Sequence, residues 1–166
     1  MPASSSTGFR IASFLVLLMV CGVTVSATRT ECAECDRVVA RAVKLLPKRP
    51  PRVVVLDSDA VTPSLRRKLN GTEGFVTTGD PTVYLHKQGS TFAQALRGPG
   101  VWDCALAVII WHEMAHIDGG DEREAQHQEE LLWQRFVLEG RIDRARGLNY
   151  LAVLRQRADT TRADQR

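Results

Sequence analysis

The chain has 166 residues, of which 44% are hydrophobic and 25% are charged. These proportions are typical of a globular protein and exclude a chain that is disordered throughout. The formal net charge is +3 at pH 7, and it falls to +2 without residues 1–27, which contain one arginine and no acid. A charge this small argues against nucleic acid as the main partner.

The first 27 residues have the features of a secretory signal peptide. Arg10 precedes the apolar run IASFLVLLMVCGVTV, and Val25 to Ala27 offer small residues for cleavage. We therefore expect a mature protein that starts near Thr28 and is secreted or periplasmic. Because the run is shorter than the roughly 20 residues that span a bilayer, membrane attachment would require an uncleaved signal or a lipid anchor on Cys21.

Three cysteines follow the predicted cleavage site: Cys32, Cys35 and Cys104. Two of them can pair in an oxidising compartment, and the sequence leaves all three pairings open. Cys32-x-x-Cys35 has no second CxxC and no surrounding βαβ pattern, so we interpret it as structural. A link from this segment to Cys104 would hold it beside the helix that contains Cys104.

The first half of the mature chain predicts a helix, a strand and a second, short helix. Residues 33–46 repeat apolar positions at helical spacing, and the prolines that follow end this helix. Val53 to Asp57 is a short β-branched run, which predicts a buried strand. Thr62-Pro63 opens the short helix and Asn70-Gly71 closes it.

Two strand-like runs come next and predict a hairpin with its turn at Gly79-Asp80-Pro81. Proline cannot donate a hydrogen bond to a central strand, so we expect Thr82 to His86 to be an edge strand. Ser90 to Leu96 predicts a short helix, which a Gly-Pro segment ends. A long, mostly apolar helix should then run from about Trp102 to Ile117.

Two helices are predicted in the C-terminal part of the chain. Asp121 or a neighbour caps a helix from Glu122 to Leu138. The last helix should span Leu148 to Arg157 and pack three leucines onto the core, namely Leu148, Leu151 and Leu154. Together the elements predict one α+β domain over residues 28–157, followed by a disordered, basic tail over residues 158–166.

The long apolar helix carries three ionisable side chains through its middle: His112, Glu113 and His116. Buried ionisable groups need partners, and a metal ion is the simplest one. Residues four apart project from the same helix face, so both imidazoles can reach one zinc ion at about 2 Å. The pattern is the HExxH motif, whose glutamate acts as a general base. The alternative is a core helix whose histidines are satisfied by hydrogen bonds.

A catalytic zinc site needs a third protein ligand and one open position. Gly119-Gly120 permits an abrupt turn after the histidines. Glu122 is our predicted third ligand because it begins the next helix, three residues before the small Ala125, where its charge suits a helix N-terminus. Three other residues stay open as alternatives, since helix starts are uncertain by a few residues: Glu124, Glu129 and His127.

The pattern His112-Glu113-x-x-His116 followed by Glu122-x-x-Ala125 resembles the zincin metallopeptidases, and most closely the small gluzincins. In those families a residue after that alanine often supports a ligand, and Gln126 occupies the place. The chain departs from the metzincin pattern because no methionine follows Met114 and a glutamate replaces the third histidine. The resemblance covers mainly residues 101–138.

The resemblance implies a minimal zincin-like fold, in which an edge strand of a small sheet lies along the cleft and C-terminal helices follow the HExxH helix. Thr82 to His86 would be this strand, and an unpaired strand edge can bind an extended peptide. Tyrosine or histidine side chains often stabilise the oxyanion, and four are available: Tyr84, His86, His127 and Tyr150.

The sequence therefore predicts a zinc-dependent metallopeptidase that hydrolyses peptide or protein substrates. Zinc would be held by His112, His116 and Glu122, with Glu113 as the general base. The alternative is a secreted binding or structural domain that keeps zinc for stability on a zincin scaffold. The mature chain is small for a deep, two-lobed cleft, which is why this alternative stays open.

Overall fold

The computed structural model describes residues 32–152, so the predicted signal peptide and basic tail lie outside the described residues. In chain order the elements are α1 (Ala33–Val43), β1 (Arg52–Leu56), α2 (Pro63–Leu69), β2 (Gly74–Thr77), β3 (Asp80–His86), α3 (Ser90–Arg97), α4 (Val101–Ile117) and α5 (Glu122–Leu138). A last helix, α6, covers residues 144–152, where the description ends. The predicted α+β class is confirmed at this coarse level.

The sheet has three strands in the order β1-β3-β2, with β1 parallel and β2 antiparallel to β3. The prediction that Thr82 to His86 forms an edge strand is therefore wrong, because β3 is the central strand. Pro81 is compatible with this position since the pairing of β1 with β3 begins at Thr82, so the missing N–H costs no bond in that ladder. The short β2 is an edge strand instead.

Helix α4 forms the centre of the fold and contacts α1, α3, α5, β2 and β3. Most of its apolar residues are buried, among them Leu106, Val108 and Ile110. A helix that is hydrophobic all round belongs in the interior. Within the described residues no helix combines the length and hydrophobicity that a membrane span requires.

A partly buried ion pair fixes the N-terminal end of α4. Arg41 Nε of α1 donates to the Asp103 carboxylate at 3.0 Å, and Arg41 Nη2 donates to the backbone oxygen of Ala95 at 2.8 Å. Asp103 also accepts from the backbone N–H of Gly100, which precedes the helix. An acid in the first turn suits the helix dipole, and these contacts tie α1 and α3 to α4.

A tight turn joins α4 to α5. Gly119 has a φ of 92°, which a residue with a Cβ rarely adopts. Asp121 then caps α5 by accepting a hydrogen bond from the Glu124 N–H at 2.8 Å. Ala125 is fully buried on α5, as expected where two helices pack closely. The turn places the first turn of α5 beside the histidines of α4.

Helix α6 packs on α5 through a face different from the predicted one. Leu151 is buried as expected, but Leu148 is 54% exposed, which contradicts its predicted place in the core. On the packed face of α6, Gly147 lies against Val137 of α5, and the Tyr150 ring packs on Trp133 of α5. Helical spacing groups positions 147, 150 and 151, so Leu148 points away. Leu154 lies outside the described residues.

A disulfide lies at the N-terminal end of α1. Cys32 and Cys35 form a disulfide, and Cys104 is a free thiol buried in α4. The link to Cys104 that the sequence left open is therefore not formed. Cys32 is also the N-cap of α1, and Cys35 is buried against the core. Both positions agree with a structural role for the CxxC pair.

Candidate metal centre

His112, His116 and Glu122 bring three ligand atoms together at the junction of α4 and α5. Glu122 Oε2 lies 3.4 Å from Nε2 of His116 and 3.7 Å from Nε2 of His112. The three atoms all lie within 4.8 Å of one another, so this group could hold a metal ion. Donors about 2 Å from one tetrahedral ion are about 3.3 Å apart. This is close to the distances of 3.4 Å and 3.7 Å between Glu122 Oε2 and the two Nε2 atoms.

The second nitrogen of each imidazole has its own partner. Nδ1 of His112 lies 3.0 Å from Glu129 Oε2, and Nδ1 of His116 lies 3.0 Å from the backbone oxygen of Gly120. Donation from Nδ1 to an acceptor leaves Nε2 as the lone-pair atom and fixes the ring orientation. Both Nε2 atoms face Glu122, and in a neutral ring that donates from Nδ1 this is the nitrogen that can bind a metal ion.

Glu122 is oriented by its own helix. Gln126, one turn later, donates from Nε2 to Glu122 Oε1 at 2.8 Å. The other oxygen, Oε2, is the one nearest the histidines. The Glu122 side chain is 47% exposed, so a small molecule can approach the group from solvent. Gln126 thus holds the second oxygen of this carboxylate from the same helix.

The alternative third ligands occupy other positions. Glu129 is buried at 8% exposure and contacts His112 on the Nδ1 side, away from the atom that faces Glu122. Glu124 accepts from Gln128 at 2.8 Å and is exposed, as is His127. The geometry therefore favours Glu122, and it gives Glu129 a supporting position that sequence reasoning missed. The signal was present, since Glu129 lies two turns after Glu122 on the same stripe.

The predicted general base, Glu113, is buried beside the two histidines with 8% of its surface exposed. Burial raises the pKa of the Glu113 carboxyl above its ordinary value of 4.5, while His112 and His116 act in the opposite direction. A raised pKa brings a carboxylate closer to the range in which it can both accept and release a proton. Its environment therefore suits proton transfer.

Competing effects act on His112. Burial is the largest of them and opposes protonation, but the hydrogen bond to Glu129 and three nearby carboxylates outweigh it. The pKa of His112 is therefore raised above its ordinary value. Without a metal ion, this acid-rich surrounding favours a proton on His112. The same negative charge would favour a divalent cation at the Nε2 atoms.

Two cavities flank the histidines and meet β2. One of about 680 Å³ is lined by His112, Glu113 and Gly74, and also by Trp102 and Tyr150. The other, of about 560 Å³, is lined by His116 together with Val76 and Thr77. Each end of the edge strand β2 therefore lines a cavity that one of the two histidines also lines.

Of the four side chains considered for stabilising an oxyanion, two line the larger cavity, namely His86 and Tyr150. Nε2 of His86 is buried and has no hydrogen-bond partner within residues 32–152. Tyr84 instead donates to Asp80 at 2.6 Å and stacks on Phe75. His127 is exposed on α5. The structure therefore separates the four into two at the cavity and two elsewhere.

No protein-family model, curated protein or solved structure matches the chain. The HExxH motif and the geometry of the residues around it are therefore the features of this chain that indicate a function.

Proposed function

We propose that the protein is a zinc-dependent metallopeptidase that is secreted or periplasmic. The observation that supports this most is the convergence of His112 Nε2, His116 Nε2 and Glu122 Oε2 beside the buried Glu113. Two imidazoles, one carboxylate and a neighbouring acid are the components of a hydrolytic zinc site.

Zinc is the metal that best fits the donors. Two imidazole nitrogens and one carboxylate oxygen suit zinc, whereas magnesium and calcium prefer oxygen ligands. Structural zinc sites normally close the coordination sphere with four protein ligands, and catalytic sites keep one position open. The described residues bring together three ligand side chains. This count favours the catalytic reading over a zinc ion kept for stability.

The reaction would be hydrolysis of a peptide bond. Zinc in this site would lower the pKa of a water molecule and polarise the scissile carbonyl. Glu113 accepts the proton that the attacking water loses, and it returns this proton to the amine nitrogen as the C–N bond breaks. Glu129 and the Gly120 carbonyl keep His112 and His116 in their orientations throughout.

The substrate would bind as an extended peptide along β2. This strand replaces β3 as the predicted docking edge because β3 is paired on both sides. An unpaired strand edge offers backbone donors and acceptors to an extended chain. The cavities at the two ends of β2 would take side chains on either side of the cleaved bond. Trp102, a 41% exposed tryptophan at the larger cavity, offers an aromatic contact.

Incubation of the zinc-loaded protein with a mixed peptide library, followed by mass spectrometry, tests this function. We expect cleavage products with the zinc-loaded protein and none with the same protein after chelation or with Glu113→Gln. Zinc binding without any cleavage would instead support the non-catalytic binding or structural domain. Products that persist in Glu113→Gln would contradict the assigned general base.

A further inference from the structure

We propose that α6 is part of the metal centre, because Tyr150 positions Glu129 and thereby the His112 imidazole. This inference rests on the metal-binding part of the proposed function and does not depend on peptide hydrolysis. It assigns a role to a residue that follows the last predicted ligand by 28 positions in the chain. Tyr150 acts here as a positioning residue, through Glu129.

The Glu129 carboxylate is held at both oxygens. Oε2 lies 3.0 Å from His112 Nδ1, and Oε1 accepts a hydrogen bond from the Tyr150 hydroxyl at 3.3 Å. Glu129 is 8% exposed, so water has little access to replace a lost donor. Two donors on opposite oxygens fix the plane of a carboxylate. The loss of one would leave Glu129 free to turn, and His112 would turn with it.

The position of the Tyr150 ring is set by packing between α5 and α6. The ring centroid lies 4.0 Å from that of Trp133, whose Nε1 donates to the backbone oxygen of Gly147 at 3.0 Å. Gly147 lies against Val137, where an added Cβ would clash. The close approach of the two helices therefore fixes the tyrosine ring, and the hydroxyl is the part that reaches Glu129.

The ring and the hydroxyl can be separated by substitution. Tyr150→Phe keeps the ring that packs on Trp133 and removes the hydroxyl that donates to Glu129. Tyr84→Phe is a matched control because Tyr84 also donates to a carboxylate, that of Asp80, which is not bonded to either histidine. Both variants lose one hydroxyl–carboxylate bond, but only the first of these bonds leads to the metal centre.

The experiment measures zinc affinity by competition with a chromogenic chelator, on the full chain and both variants. We expect Tyr150→Phe to weaken zinc binding about tenfold, the lower end of the range for residues that support a ligand, and Tyr84→Phe to leave it unchanged. The visible absorption of the cobalt(II) form should change only in Tyr150→Phe. Equal zinc affinities in Tyr150→Phe and the parent would overturn the inference.

A double-mutant cycle with Glu129→Ala, which removes the carboxylate altogether, separates positioning from general destabilisation. If Tyr150 acts through Glu129, adding Tyr150→Phe to Glu129→Ala should cause no further loss of zinc affinity. Additive losses would overturn the inference. A parent chain that binds no zinc would overturn both this inference and the proposed function. Zinc binding without peptide cleavage would remove only the peptidase proposal.

Discussion

Nδ1 of His112 lies 3.0 Å from Oε2 of Glu129, 17 residues later in the chain. This contact joins the central helix α4 to α5 and leaves Nε2 of His112 facing Glu122. The bond therefore sets which nitrogen is available to a metal ion. Removal of either side chain should reduce the affinity for the metal more than it reduces the stability of the fold.

Glu129→Gln should weaken zinc binding about 10- to 100-fold, because the amide is a poorer acceptor for His112 Nδ1. Chelator competition measures the affinity. Glu124→Gln is the control, since this exposed glutamate on the same helix pairs with Gln128. Equal losses in the two variants would show that general charge, and not the contact with His112, controls the affinity.

Glu113→Gln should keep zinc and lose hydrolysis. The variant preserves the size of the side chain but cannot accept a proton, so we expect kcat to fall by about 100-fold or more. Elemental analysis checks the zinc content, and cleavage of a peptide identified from the library gives kcat. Parent-like turnover in Glu113→Gln would remove Glu113 from the mechanism.

Gly74→Ala should destabilise the fold by about 1 kcal/mol or more, as expected of overpacking. An added Cβ would lie 3.1 Å from the backbone oxygen of Tyr84 and 3.2 Å from Ile109 Cγ2. Gly98→Ala is the control because a Cβ there meets no atom within 4 Å. Urea unfolding compares the two, and a neutral Gly74→Ala would contradict the close approach of β2 to α4.

Asp57 provides a pH-dependent contribution to stability. A hydrogen bond from Lys87, followed by one from the Asp59 N–H, lowers the pKa of Asp57 from 3.8 to about 2. Because the pKa is lowered in the folded state, the contribution is present above pH 3.8 and disappears as the pH falls towards 2. It supports the fold by joining the end of β1 to the residue after β3.

Asp57→Asn should therefore lower the free energy of unfolding by about 1–2 kcal/mol at pH 7 and by much less near pH 2. Urea unfolding at both pH values measures the difference. Asp59→Asn, at an exposed neighbour, should have little effect at either pH. A loss in Asp57→Asn that stays the same at both pH values would contradict the ionic origin of this contribution.

Local features of the sequence predicted most of the elements and part of the site. The spacing of His112 and His116 fixed their common face, and Asp121 marked the start of α5, which gave Glu122 its position beside them. The predictions of a turn at Gly79 and of a helix between Thr62 and Asn70 are confirmed because they also depend on local residues alone. The assignment of His112, His116 and Glu122 as metal ligands stays a prediction.

Contacts between distant segments could not be predicted in the same way. The strand order depends on the pairing of β1 with β3, which are separated by a helix and a strand, so Pro81 was a misleading sign of an edge. The exposed Leu148 and the contact of Tyr150 with Glu129 depend on which face of α6 meets α5. Apolar spacing alone did not identify that face.

The most direct test of the account is a crystal structure of the zinc-loaded protein, with anomalous diffraction recorded at the zinc edge. We predict one zinc ion bound by Nε2 of His112, Nε2 of His116 and a carboxylate oxygen of Glu122, at about 2.0–2.2 Å, with one position left for a water or substrate. A zinc ion bound elsewhere, or one that takes Glu124 or Glu129 in place of Glu122, would contradict the account.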